Sequence, residues 1–60
     1  MERYLVRKTE GGMTAWLVVN DTDSAQEVTW SNKREEGTPL VRFTAELWIW
    51  DLGGELDPID

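Results

Sequence analysis

The sequence predicts a small, mainly β domain built on an antiparallel sheet. Three observations carry that expectation. Alternating apolar runs flank Gly11-Gly12, a long apolar stretch occupies Leu40–Leu52, and a chain of 60 residues has room for one core only. A chain this short buries only about 60% of the surface its unfolded form exposes, so large side chains must supply most of the packing. Four tryptophans, one tyrosine and one phenylalanine are available, each large ring burying roughly 150–250 Å².

The first element is a hairpin. In Glu2–Thr9, Tyr4, Val6 and Lys8 alternate with Arg3, Leu5 and Arg7. In Met13–Val19, Met13, Ala15, Leu17 and Val19 alternate with Thr14, Trp16 and Val18, the period of a pleated strand. Glu10-Gly11-Gly12 between them tolerates the positive φ of a tight turn. Leu17-Val18-Val19 is apolar on both sides, as in a central strand.

Asn20–Ser24 reads as a turn, and the segment after it has two readings. A helix over Ala25–Glu36 would have a capping box in Ser24-Ala25-Gln26-Glu27, Lys33 and Arg34 near its end, and Gly37 then Pro39 beyond it. Its apolar stripe is thin, because Trp30 lies well round from Val28. A strand over Gln26–Asn32 alternates Val28 and Trp30 with Glu27, Thr29 and Ser31, residue types that suit a sheet. The strand is the favoured reading. The helix would instead give an α+β domain of order ββαβ.

Leu40–Leu52, LVRFTAELWIWDL, reads as a long closing strand. Val41, Phe43, Ala45, Leu47 and Ile49 point to one side; Arg42, Thr44, Glu46, Trp48 and Trp50 point to the other. Two features strain this reading. Leu47–Trp50 is apolar on both faces, and the extended run would span roughly 43 Å against a globule diameter of about 27 Å. Such a strand must bend, end early, or project and pair with another chain. Gly53-Gly54 then breaks the pattern. Residues 53–60 form an acidic tail, either mobile or folded back through Leu56 and Ile59 over Trp48 or Trp50.

Charge narrows the function. Twelve acidic residues against six basic ones give a net charge of −6, and residues 43–60 hold no base at all. Direct binding of nucleic acid or of an anionic membrane is disfavoured, since both need Lys and Arg. A basic protein surface is the partner this charge favours. Solubility and adaptation to salt are rival explanations for the acidity. The absence of cysteine and histidine removes disulfides, thiolate and imidazole metal ligands, and the commonest general bases and nucleophiles. The expectation is a cytoplasmic, non-enzymatic chain without cofactor or metal, because no apolar run approaches the roughly 18–20 residues of a membrane span. Asp21-x-Asp23 with Glu27 lacks the other ligands and the glycine of a calcium loop and reads as turn chemistry. Asp51 and Glu55 could pair as in a glycosidase, but so small a chain has little room for a substrate cleft.

The tryptophans and the acids remain. Trp48 and Trp50 belong either to the core or to an interface, where tryptophan is enriched among the residues that dominate binding. The acidic candidates are Glu46, Asp51, Glu55, Asp57 and Asp60, with Glu35 and Glu36 as a second group. Carboxylates on a compact scaffold can imitate the phosphates of a duplex. Small acidic inhibitors of phages and mobile elements, anti-CRISPR proteins among them, work in this way, and the chain is similar to them in type, without a motif of any one family. The functional expectation is a small acidic protein-binding module that occupies the basic surface of a nucleic-acid-handling protein and inhibits it. The alternative is an assembly module, a homodimer for example, using Leu47–Trp50.

Overall fold

Four strands, one short 3-10 turn and one helix make up the computed structural model, which describes residues 2–22 and 25–59. Strands β1 (Arg3–Glu10), β2 (Met13–Asp21), β3 (Gln26–Ser31) and β4 (Glu55–Ile59) form one antiparallel sheet in the order β3-β2-β1-β4. The domain is therefore mainly β, with a single helix. The hairpin is as read: Gly11 and Gly12 take φ of 57° and 80° and turn β1 into β2. The middle segment is the strand, not the helix, with Val19 opposite Val28 and Leu17 opposite Trp30. Ser24, proposed above as a helix cap, lies outside the described residues.

The long closing strand is corrected. Arg42–Leu52 is an α-helix, α1. Val41, Ala45, Trp48, Ile49 and Leu52 recur at helical spacing, and Ala45 is buried while Trp48, Ile49 and Leu52 pack against the core. Phe43, Leu47 and Trp50 recur at the same spacing on the opposite side. A helix apolar on two faces satisfies a period of two as well as one of 3.6, and this is why alternation misleads here. The length conflict also disappears. Eleven helical residues rise only about 16 Å, within a molecule of 35 × 26 × 22 Å.

The helix has clear ends. Pro39 precedes it, and Gly53 leaves it with φ 85° while donating its N–H to the Ile49 carbonyl at 2.7 Å. Lys8 reaches from β1 and donates to the Leu52 carbonyl at 3.0 Å, placing a cation at the negative end of the helix. Of the two readings of the acidic tail, the structure has the folded-back one: Glu55–Ile59 is β4, paired with β1 from Arg3↔Ile59 to Arg7↔Glu55, and Leu56, like Trp48, packs against the core.

Between the 3-10 turn η1 (Arg34–Glu36) and α1 the chain passes from one face of the sheet to the other. The β1–β2 ladder runs from Glu10↔Met13 to Arg7↔Trp16. Beyond it, Thr38–Leu40 lies between the two strands. Tyr4 and Leu40 exchange backbone hydrogen bonds of 2.7 and 2.8 Å, and the Thr38 N–H donates to the Leu17 carbonyl at 3.0 Å. The Thr38 hydroxyl accepts from the Val19 N–H at 2.8 Å. On the α1 side, Tyr4, Val6, Leu17 and Ala45 form the buried core, with Leu40 and Leu56 against it. On the other side Leu5 and Asp57 are buried beneath η1. A Cβ at Gly37 would lie 3.1 Å from the side chains of both Leu5 and Trp16, so this cover sits directly on the sheet.

Candidate partner-binding face

Three of the five large apolar side chains that stand exposed among the described residues lie on the outer stripe of α1. Trp50 is 93% exposed, Phe43 71% and Leu47 49%. Exposed apolar residues scattered singly need no explanation, but three in one row on a helix make a contiguous patch. The inward row packs on β1 and β4, and the second stripe, on the opposite side of the helix, is left largely uncovered by the described residues.

An open groove of about 530 Å³ runs beside the stripe, between α1 and β4. Phe43, Leu47, Ile49, Trp50 and Leu56 make its apolar lining, and Glu46 and Glu55 stand at its edges. Both carboxylates are tethered. Glu46 accepts from Arg42 Nε at 3.4 Å, one helical turn away. Glu55 meets Arg7 Nη2 at 3.0 Å across the β1–β4 ladder. Exposed pairs of this kind are worth only about 0–1 kcal/mol, so a partner's cations can compete for these carboxylates at little cost.

The structure divides the residues singled out from sequence. Glu46, Trp50 and Glu55 meet at the groove, and Asp51 is exposed in the last turn of α1. Trp48 is half-buried against the sheet and belongs to the core. Asp57 is 8% exposed and is corrected as a partner contact. It accepts from Arg34 Nε at 2.9 Å and from Trp16 Nε1 at 2.8 Å. Hydrogen bonding from Arg34, helped by Trp16, holds its carboxyl below the usual range, although burial acts the other way. Glu35 and Glu36 lie on η1, across the sheet from α1, and Glu36 accepts from the Ser31 hydroxyl. Asp60 and Asp23 lie outside the described residues.

Phe43 escaped the sequence reading, and Leu47 entered it only as the start of the assembly stretch Leu47–Trp50. Alternation assigned Phe43 and Leu47 to the core side; their spacing of four and then three to Trp50 is the signal that places them on one exposed helical row.

The described residues hold no group of three or more acids placed to bind a metal ion. They also contain no helix long and apolar enough to cross a membrane. Asp21 of the supposed calcium cluster accepts instead from the Gln26 side chain at 3.1 Å. What the geometry brings together is an exposed apolar stripe and two carboxylates beside it. Comparison with protein-family models, with curated proteins and with solved structures finds no match.

Proposed function

We propose that the protein is a small acidic binding module that docks a basic protein surface onto the outer face of α1. The observation that carries this reading is the exposed row Phe43–Leu47–Trp50 beside the carboxylates Glu46 and Glu55. A partner that covers the rings gains apolar burial at about 25 cal/mol per Å², and its Lys or Arg side chains meet the acids.

The surface of a protein that handles single-stranded nucleic acid fits this face well. Such grooves combine positive charge for the backbone with aromatic side chains on which bases stack. Aromatic and apolar side chains bordered by carboxylates offer a counterpart to both features. Occupation of that groove would exclude the nucleic acid, which makes the module an inhibitor. The scattered acids favour this mixed contact over a pure imitation of duplex phosphates, because Asp57 is sequestered and Glu35 and Glu36 are on the other face.

The test is affinity capture with the wild type, Trp50→Ala, and the double variant Glu46→Gln/Glu55→Gln, followed by titration of the captured protein. The expected partner has a basic nucleic-acid-binding surface. Trp50→Ala weakens binding by about 2 kcal/mol or more, as for a residue that dominates an interface. The double variant reduces the salt dependence. A partner retained equally by all three proteins would overturn the proposal.

A further inference from the structure

The two edges of the sheet are treated differently by the chain. β4 is the edge beside β1, and it is blunted twice. Pro58 lies opposite Tyr4, whose backbone groups bond Leu40 on the other side; the nitrogen that Pro58 turns to the open edge carries no hydrogen. The Pro58 carbonyl is taken by Arg34 Nη2 at 3.1 Å. Proline and covered carbonyls are recognised defences against edge-to-edge pairing.

β3 has neither defence. Its six residues, Gln26–Ser31, hold no proline, no lysine and a single charge, Glu27. Leu17 gives its carbonyl to Thr38 on the β1 side of β2. Its opposite number Trp30 therefore forms a non-hydrogen-bonded pair with it and turns its own N–H and C=O outward, as do Val28 and Gln26. The side chains nearby are incompletely covered: Val28 is 39% exposed and Met13 72%. Helix α1 packs on β1 and β4 and leaves this end of the sheet open.

We infer that the β3 edge pairs with β3 of a second copy, antiparallel about a two-fold axis at Val28, to form one continuous sheet. In that register Val28 faces Val28 of the second copy, and Gln26 faces Trp30. All three outward-facing residues then meet partners, each narrow pair exchanging two hydrogen bonds. Glu27 falls opposite Thr29, so no carboxylates oppose one another. A register centred one residue earlier would set Glu27 against Glu27, which is destabilising. The surface is separate from the outer face of α1, and the inference does not depend on what docks there. It would place two α1 faces on the same side of the assembly.

Sedimentation of the full chain over a range of concentration and salt tests it. The wild type is expected to show a monomer–dimer equilibrium that tightens with salt, because two chains of net charge −6 repel. Val28→Pro removes an outward N–H without breaking a hydrogen bond to β2, and is expected to remain monomeric with an unchanged circular dichroism spectrum. Trp50→Ala is expected to dimerise like the wild type. Should Val28→Pro not fold, amide exchange on the wild type decides: Gln26, Val28 and Trp30 should gain protection as concentration rises. A wild type that stays monomeric throughout, a folded Val28→Pro that still dimerises, loss of the dimer in Trp50→Ala, or concentration-independent exchange at those three amides would each overturn the inference.

Discussion

At the scale of single residues, Asp57 shows how a surface acid by composition becomes a structural one by position. Its carboxylate joins β4 to Trp16 of β2 and to Arg34 of η1, and so it fastens the η1 cover to the face opposite α1. The folded-state pKa is depressed, so the stabilisation is present above the unfolded value near pH 4 and is lost as pH falls through the lower, folded value. Asp57→Asn should lower stability at neutral pH by about 1.5–3 kcal/mol, the range for hydrogen bonds to charged groups. It should also flatten the acid limb of a stability–pH curve measured by denaturant unfolding. An unchanged acid limb would show that Asp57 does not couple η1 to pH. Gly54 makes a second point at this scale. It has φ 111°, and a Cβ there would lie 2.8 Å from the Arg7 carbonyl oxygen. Gly54→Ala should therefore cost about 1–3 kcal/mol, as a backbone forced into a sparsely populated region, with thermal unfolding as the readout. Neither role is legible in the sequence, since Asp57 looks like one acid of many and Gly54 like a plain chain break.

At the scale of elements, α1 is the instructive case. Its inward and outward rows are equally apolar, so the composition of Leu40–Leu52 supports strand and helix alike. Other signals favour the helix: Pro39 before it, Gly53-Gly54 after it, Arg42 and Glu46 one turn apart, and a run longer than the usual strand. The hairpin was legible because Gly11-Gly12 admits one kind of turn, and β3 because Val28 and Trp30 alternate with polar neighbours. The two rows of α1 should respond oppositely to mutation. Ala45 is fully buried, and Ala45→Leu should destabilise the fold by about 1–3 kcal/mol through overpacking. Leu47→Ala, two residues on, should stay within about 0.5 kcal/mol of the wild type if α1 faces as described. Lys8→Met should cost about 0.3–1 kcal/mol by removing the cation from the helix C-terminus.

At the scale of the whole molecule, the passage of Thr38–Leu40 between β1 and β2 lets one small sheet be covered on both faces. The η1 cover lies on one face and α1 on the other, over β1 and β4, so the outer row of α1 and the β3 end of the sheet stay open among the described residues. The candidate site was half legible. Glu46, Trp50 and Glu55 were visible as an acidic, tryptophan-bearing region, whereas the wrong period hid Phe43, showed Leu47 only as part of the assembly stretch, and gave no sign that Asp57, counted among the acids, is buried. Attraction between unlike charges should make the expected partner binding weaken with salt, while self-association through β3 should strengthen as the repulsion between two acidic chains is screened. The opposite signs allow the two to be separated in one titration series.

The division of α1 into a core row and a binding row is tested most directly by two tryptophans two residues apart. Denaturant unfolding of Trp48→Ala and Trp50→Ala should be measured side by side, together with binding of the captured partner. Trp48→Ala should lose about 2 kcal/mol or more of stability, as for removal of a large core side chain. Trp50→Ala should unfold like the wild type, within about 0.5 kcal/mol, and yet bind the partner more weakly by about 2 kcal/mol or more. Equal destabilisation by both substitutions, or full binding by Trp50→Ala, would contradict that division.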